Sequence, residues 1–322
     1  FSDKIQRFPL FKTNNEIKLG LENNVLMIKA ESEEEIELIN KIAGEMNKVA
    51  RVAIRVNPDV DAKTHPYIST GLSSNKFGVD TKTALFIYKR RKDFTNIEFT
   101  GIDMHIGSQI TSIDPFVEAV EKLSELYFEI EKDGLKLKHF DVGGGIGVSY
   151  NSEKTFSINE FAERTIPLFK KLDCEIIFEP GRFLTANGGI LVTEVLYNKN
   201  NGDKNFVIID AAMNDLLRPS IYQAYHHIQP VHKFENRNEI VADVVGPICE
   251  TGDYFARDRK ITESKSGELL AVMSAGAYGM VMTSNYNARR RPAEILVDGD
   301  KYSVIRSRET FDHLIWDESI IE

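Results

Sequence analysis

From residue 13 to about residue 180 the chain alternates between stretches of helically spaced apolar residues and short β-branched runs. Asn14 or Asn15 is placed to cap a helix over Glu16–Glu22, and Val25–Ala30 follows as a strand. Ser32 before three glutamates predicts a capped helix, Glu33–Ala43. Arg51–Asn57 is a strand stopped by Pro58, Thr81–Arg90 reads as a helix, and Ile97–His105 as the next strand. Pro115–Asp133 carries Phe116, Val120, Leu123, Leu126 and Ile130 at i, i+3 and i+4 spacing, which predicts one long amphipathic helix. The strand Leu137–Val142, the helix Asn159–Leu172 and the strand Cys174–Glu179 complete the series. Such alternation predicts parallel βαβ units.

After Gly188 the pattern changes. Short β-rich runs (Gly189–Tyr197, Asn205–Asp210, Glu239–Val245, Glu268–Met273, Ala293–Val297 and Lys301–Arg306) are separated by turns without long helices. Two domains are expected, a barrel-type α/β domain over 12–188 and an antiparallel β domain over 189–322. Residues 1–11 are too short and irregular to assign, with the β domain as the candidate for them. The loop 59–79 is long for a connector, which predicts a binding loop.

Composition narrows the function classes. With 322 residues, 42% apolar and 28% charged, the chain is an ordinary globular protein. A net charge of −9 argues against a nucleic-acid partner. No apolar run is long enough for a membrane helix, so no membrane partner is expected. Two cysteines make no disulfide framework, so a cytoplasmic setting is expected. No metal site is expected.

The chemistry-bearing residues sit at the predicted strand ends. Gly143, Gly144 and Gly145 follow a strand directly; without Cβ atoms, their backbone can approach a ligand and turn N–H groups toward a phosphate. The next strand ends in Glu179-Pro180-Gly181-Arg182, and the loops after strands 7 and 8 of a (β/α)8 barrel commonly form a phosphate site. His105 stands at a strand end, where this fold keeps catalytic groups, and Ser108 adds a hydroxyl nearby. Glu179 needs a cationic partner, either a protonated pyridine nitrogen or simply Arg182; Arg182 alternatively offers a fork for a substrate carboxylate. Further on stand Arg218-Pro219 with Tyr222, Cys249-Glu250 between two turns, and Tyr278 between glycines.

In this order HIGSQ, DVGGGIGVSY, EPGRFL, RPSIY, GPICETGD and GAYG, with the loop KTHPYISTGLSSNKFGV, resemble the diaminopimelate decarboxylase family, pyridoxal 5'-phosphate (PLP) enzymes of the alanine-racemase-like barrel class. The resemblance runs from about Lys12 to the C-terminus. It implies an α/β fold with a PLP-binding (β/α)8 TIM-type barrel followed by an antiparallel β-sandwich or barrel-like domain. It also implies decarboxylation of meso-2,6-diaminopimelate to L-lysine. His105 would stack on the cofactor ring, Glu179 would pair with its nitrogen, and Gly143–Gly145, Gly181 and Ser108 would hold the phosphate side, with Arg182 and Tyr278 close by. Arg182, Arg218, Tyr222 and Tyr278 would take the distal end of the substrate. Glu250 would take its ammonium, and Cys249 would protonate Cα. In the family the last two enter the site from a second subunit, so a homodimer with shared sites is expected.

Five strands do not close an eight-stranded barrel. The expectation is that three leading βα units and the Schiff-base lysine lie outside this sequence, because Lys63 and Lys76 do not match the family's lysine motif. A related basic amino acid decarboxylase of the ornithine, arginine or carboxynorspermidine type is the alternative, as is a non-catalytic homologue.

Overall fold

The structure, a computed structural model, describes residues 11–62, 70–71 and 75–321. Residues 1–10 and much of the expected binding loop 59–79, Lys63 included, lie outside the described residues. The described residues within Phe1–Val148 and Lys154–Gly181 form one compact unit, and those within Ser149–Glu153 and Arg182–Glu322 a second.

The first unit runs α1 (Asn14–Glu22), β1 (Ile28–Ala30), α2 (Glu33–Glu45), β2 (Ala50–Asn57), β3 (Val79–Asp80), α3 (Thr81–Lys89), β4 (Ile97–Asp103), α4 (Asp114–Lys132), β5 (His139–Asp141), α5 (Ile158–Phe169) and β6 (Glu175–Ile177). The cap of α1 is Thr13 rather than either asparagine. Its hydroxyl accepts from Glu16 N while the Glu16 carboxylate accepts from Thr13 N, a reciprocal box that only a residue three before Glu16 can make. Ser32 caps α2 as expected, accepting from Glu35 N.

The strands pair in the order β1-β2-β4-β5-β6, with β3 on β2, and every pairing is parallel. All their C-terminal ends therefore open on the same edge. Helix α4 buries all five residues of its predicted stripe. At about 1.5–3 kcal/mol for each large side chain removed from water, that stripe is ample to dock the helix.

After α6 (Gly181–Thr185), which spans the boundary, the second unit runs β7 (Leu191–Asn201), β8 (Lys204–Ile209), α7 (Arg218–Tyr222), β9 (Ile228–Pro230), β10 (Glu239–Val245), β11 (Tyr254–Thr262), β12 (Leu269–Val272), β13 (Glu294–Asp298), β14 (Lys301–Arg306) and α8 (Asp312–Ile315). Six strands pair in the order β11-β10-β8-β7-β12-β9, and the two end strands approach each other, so the sheet is nearly closed. It is antiparallel apart from the parallel pair β8–β10. Val195, Val207, Ile209, Val244, Phe255 and Val272 fill its core. β13 and β14 form a separate hairpin. No described helix is long and apolar enough to cross a membrane.

Candidate active site

The parallel strands of the first unit bring four ionisable side chains to one face. Residues two apart share a face of a strand. The register aligns Lys29 with Ala53, and Ala53 with Gly101. Asp103, two residues past Gly101, pairs with Asp141, which pairs with Ile177, two residues before Glu179. Lys29 Nζ ends 2.9 Å from Asp103 Oδ1, 2.6 Å from Asp141 Oδ2 and 2.8 Å from Glu179 Oε1.

The electrostatics of this cluster follow from burial. Burial alone would pull the Lys29 pKa down, but Asp103, Asp141 and Glu179 outweigh it and hold the ammonium well above its ordinary value. Burial, reinforced by Asp103, pushes the Asp141 carboxyl up against the opposing pull of Lys29. Asp141 also accepts from Gly143 N at 2.8 Å, which ties the cluster to the glycine turn.

His105 follows β4 by two residues and is fixed from both sides. Thr70 Oγ1 and Arg55 Nη2 donate to its carbonyl at 2.6 and 3.3 Å, and Arg55 is held in turn by Glu31 at 3.0 Å. Gly144 N donates to His105 Nδ1 at 3.1 Å, so the neutral ring carries its proton on Nε2. Ser108 lies half-buried in the bend that follows.

The three glycines are required by the backbone around them. A Cβ on Gly143 would lie 2.3 Å from Met104 O, on Gly144 2.1 Å from Glu179 O, and on Gly145 2.2 Å from Gly107 O; Gly143 and Gly145 also have positive φ. The N–H groups of Gly143 and Gly144 serve Asp141 and His105. Gly181 N donates to Glu179 O at 2.8 Å. The turn is therefore a rigid cradle of main chain beside a carboxylate and an imidazole, and these residues fit a phosphorylated, nitrogen-containing ring.

In the second unit Arg182 and Arg218 meet at Tyr150, to which the sequence assigns no role, and Tyr278 lies against Arg182. Arg182 Nη1 donates to the Tyr150 hydroxyl at 2.9 Å, and its guanidinium lies 4.6 Å from the Tyr278 ring centre. The Arg218 guanidinium lies 4.4 Å over the Tyr150 ring. Tyr222 is at the end of the same short helix as Arg218. Two guanidiniums on one phenol suit a carboxylate.

His226 orients Arg218. Arginine can only donate, so the 2.7 Å contact between Arg218 Nη1 and His226 Nε2 makes Nε2 the acceptor, leaving Nδ1–H to donate to Met273 O at 2.8 Å. Burial and the neighbouring Arg218 lower the His226 pKa to about 4, although the Met273 carbonyl opposes this. An unfolded histidine binds its proton near pH 6.5. This folded-state depression therefore contributes stability that is complete above pH 6.5 and is lost as pH falls toward 4, about 3 kcal/mol over the window. His226→Gln should flatten the acid limb of a plot of Tm against pH. An unchanged limb would show that His226 is not the group responsible.

Cys249 and Glu250 are exposed on a turn whose base is pinned by buried Asp253, which accepts from Met213 N and Ile248 N at 2.7 Å each. Tyr286 donates its hydroxyl to Glu250 Oε2 at 2.6 Å. Lys76 stands over the Phe77 ring, 5.6 Å from its centre. Sequence reasoning missed Lys29, Asp103, Asp141, Tyr150, His226 and Tyr286. For the first three a signal was present: charged residues inside or closing strands of a parallel sheet, which is covered on both faces, must find partners.

Comparison with known proteins places the chain in a family. The family model for the pyridoxal-dependent decarboxylase, pyridoxal binding domain, matches residues 2–186. Diaminopimelate decarboxylase of Aquifex aeolicus is 49% identical over 305 residues, 94% of this chain and 72% of that protein. The Haemophilus influenzae enzyme of the same name is 47% identical over 311 residues, 96% of this chain and 75% of that protein. The crystal structure of diaminopimelate decarboxylase from Helicobacter pylori complexed with L-lysine gives a TM-score of 0.91 at 43% identity, covering 95% of this chain and 76% of that one. The chain belongs to the pyridoxal-dependent decarboxylases, in the diaminopimelate decarboxylase family.

Proposed function

We propose that this chain is a PLP-dependent carboxy-lyase that takes CO2 from meso-2,6-diaminopimelate and leaves L-lysine, in the cytoplasm. The observation that carries the choice of substrate is the meeting of Arg182 and Arg218 on Tyr150. A pair of guanidiniums matches a carboxylate at the remote end of the substrate, a group that ornithine and arginine side chains lack. Bound PLP supplies a ring that accepts the electron pair released as CO2 leaves.

The chain's own residues have separable tasks in this reading. Glu179 would hold the ring nitrogen of bound PLP protonated, and His105 would lie against the ring. The Gly143–Gly145 turn, Ser108 and Gly181 hold the phosphate, where Gly145 N–H is the member of the turn not already committed to Asp141 or His105. Arg182, Arg218, Tyr222 and Tyr278 bind the remote carboxylate. Glu250, oriented by Tyr286, takes the remote ammonium, and Cys249 gives a proton to Cα. The exposure of Cys249 and Glu250 within one chain supports their serving the site of a second copy in a homodimer.

Turnover of meso-diaminopimelate measured beside ornithine and arginine tests the substrate. A site whose buried donors are built for a carboxylate rejects an analogue that leaves them unpaired, so kcat/KM should favour diaminopimelate by about 10³-fold or more. Equal turnover of ornithine would overturn the assignment.

A further inference from the structure

Lys29 has no part in the reading above, yet its ammonium touches Glu179, the carboxylate there assigned to the cofactor's ring nitrogen. Its three contacts are not equivalent. The Asp103 and Asp141 side chains are 3% and 0% exposed, whereas Glu179 is 36% exposed. The two buried carboxylates fix the ammonium from beneath, and their combined charge keeps it a cation. Glu179 is the member that faces outward, and it is the exchangeable partner. A carboxylate oxygen already bound to an ammonium at 2.8 Å is less available to a second cation.

We infer that Lys29 is an internal counter-ion for Glu179, which the nitrogen of the bound cofactor ring must displace. Lys29 then retains Asp103 and Asp141, so displacement leaves no buried charge without a partner. Before the ring binds, the same contact keeps Glu179 turned to the strand ends, where the His105 imidazole and the glycine turn stand. Lys29 is thus a positioning residue whose contact opposes cofactor binding.

The inference rests on the assignment of Glu179 to the ring nitrogen, and the experiment separates the two. The probe is 4'-deoxypyridoxine 5'-phosphate, which has the ring nitrogen and the phosphate but no aldehyde. Its affinity for the cofactor-free protein therefore reports ring and phosphate contacts alone. Titration at pH 8 should show binding tightened about fivefold by Lys29→Met, the equivalent of about 1 kcal/mol for a partly exposed ion pair. Lys29→Gln, which keeps a hydrogen-bonding group where methionine could disturb folding, should tighten binding in the same direction. Lys29→Arg should stay at the wild-type value, and phenyl phosphate, which lacks the nitrogen, should bind all four proteins alike. Unchanged or weaker binding in both neutral variants overturns the inference. If Glu179→Gln weakens the probe while the lysine variants do nothing, only the role of Lys29 falls. If Glu179→Gln binds it as the wild type does, the Glu179 assignment falls and the inference with it.

Discussion

Glu179→Gln should lower kcat for meso-diaminopimelate by about 10²–10³-fold while the protein remains folded. The expected loss is of the size found when one fixed electrostatic partner is removed from a reacting centre. It falls at the lower end of what the pair could supply, because Glu179 is more than a third exposed and water screens part of its charge. Glutamine keeps the volume and cannot hold a ring nitrogen protonated. Stability should change by less than about 1 kcal/mol, since Lys29 retains Asp103 and Asp141 after the substitution. Measuring kcat and Tm on the same preparations separates the two effects. A kcat within tenfold of wild type would remove Glu179 from the chemistry.

What could be read from the sequence follows how local the determining forces are. The stripe on α4 is set by side chains within two turns of each other, and all five of its residues are buried as the spacing predicts. The register that gathers Lys29, Asp103, Asp141 and Glu179 joins residues up to 150 positions apart, so no window of sequence contains it. Lys29 in particular reads as the solvent side of a short strand. Its partners Asp103, Asp141 and Glu179 all lie on other strands or strand ends. β11 was hidden for a different reason: Arg257, Asp258, Arg259 and Lys260 mask any alternation, as charges on an end strand commonly do. In the second unit Arg182 and Arg218 are recognisable by type, but the tyrosine on which they meet is not. Its hydroxyl and ring matter only once Arg182 and Arg218, 36 residues apart, have folded onto it.

Cys249→Ala should reduce kcat by about 10²–10⁴-fold, the range for loss of a positioned proton donor, and leave PLP affinity unchanged. The thiol is exposed on a turn held by Asp253 and does not pack in a core, so alanine there should cost less than about 0.5 kcal/mol of stability. The same variant tests whether sites are shared between subunits. In a two-fold dimer whose sites combine Glu179 of one chain with Cys249 of the other, a Cys249→Ala chain paired with a Glu179→Gln chain builds one intact site and one doubly altered site. Random mixing makes half the dimers mixed, so about a quarter of wild-type activity should return when two nearly inactive proteins are unfolded and refolded together. Sites complete within one chain would give no recovery, because each mixed dimer would then hold one site of each defective kind. The amplitude of that recovery is the decisive number: about a quarter places Cys249 in its partner's site, and none returns it to its own chain.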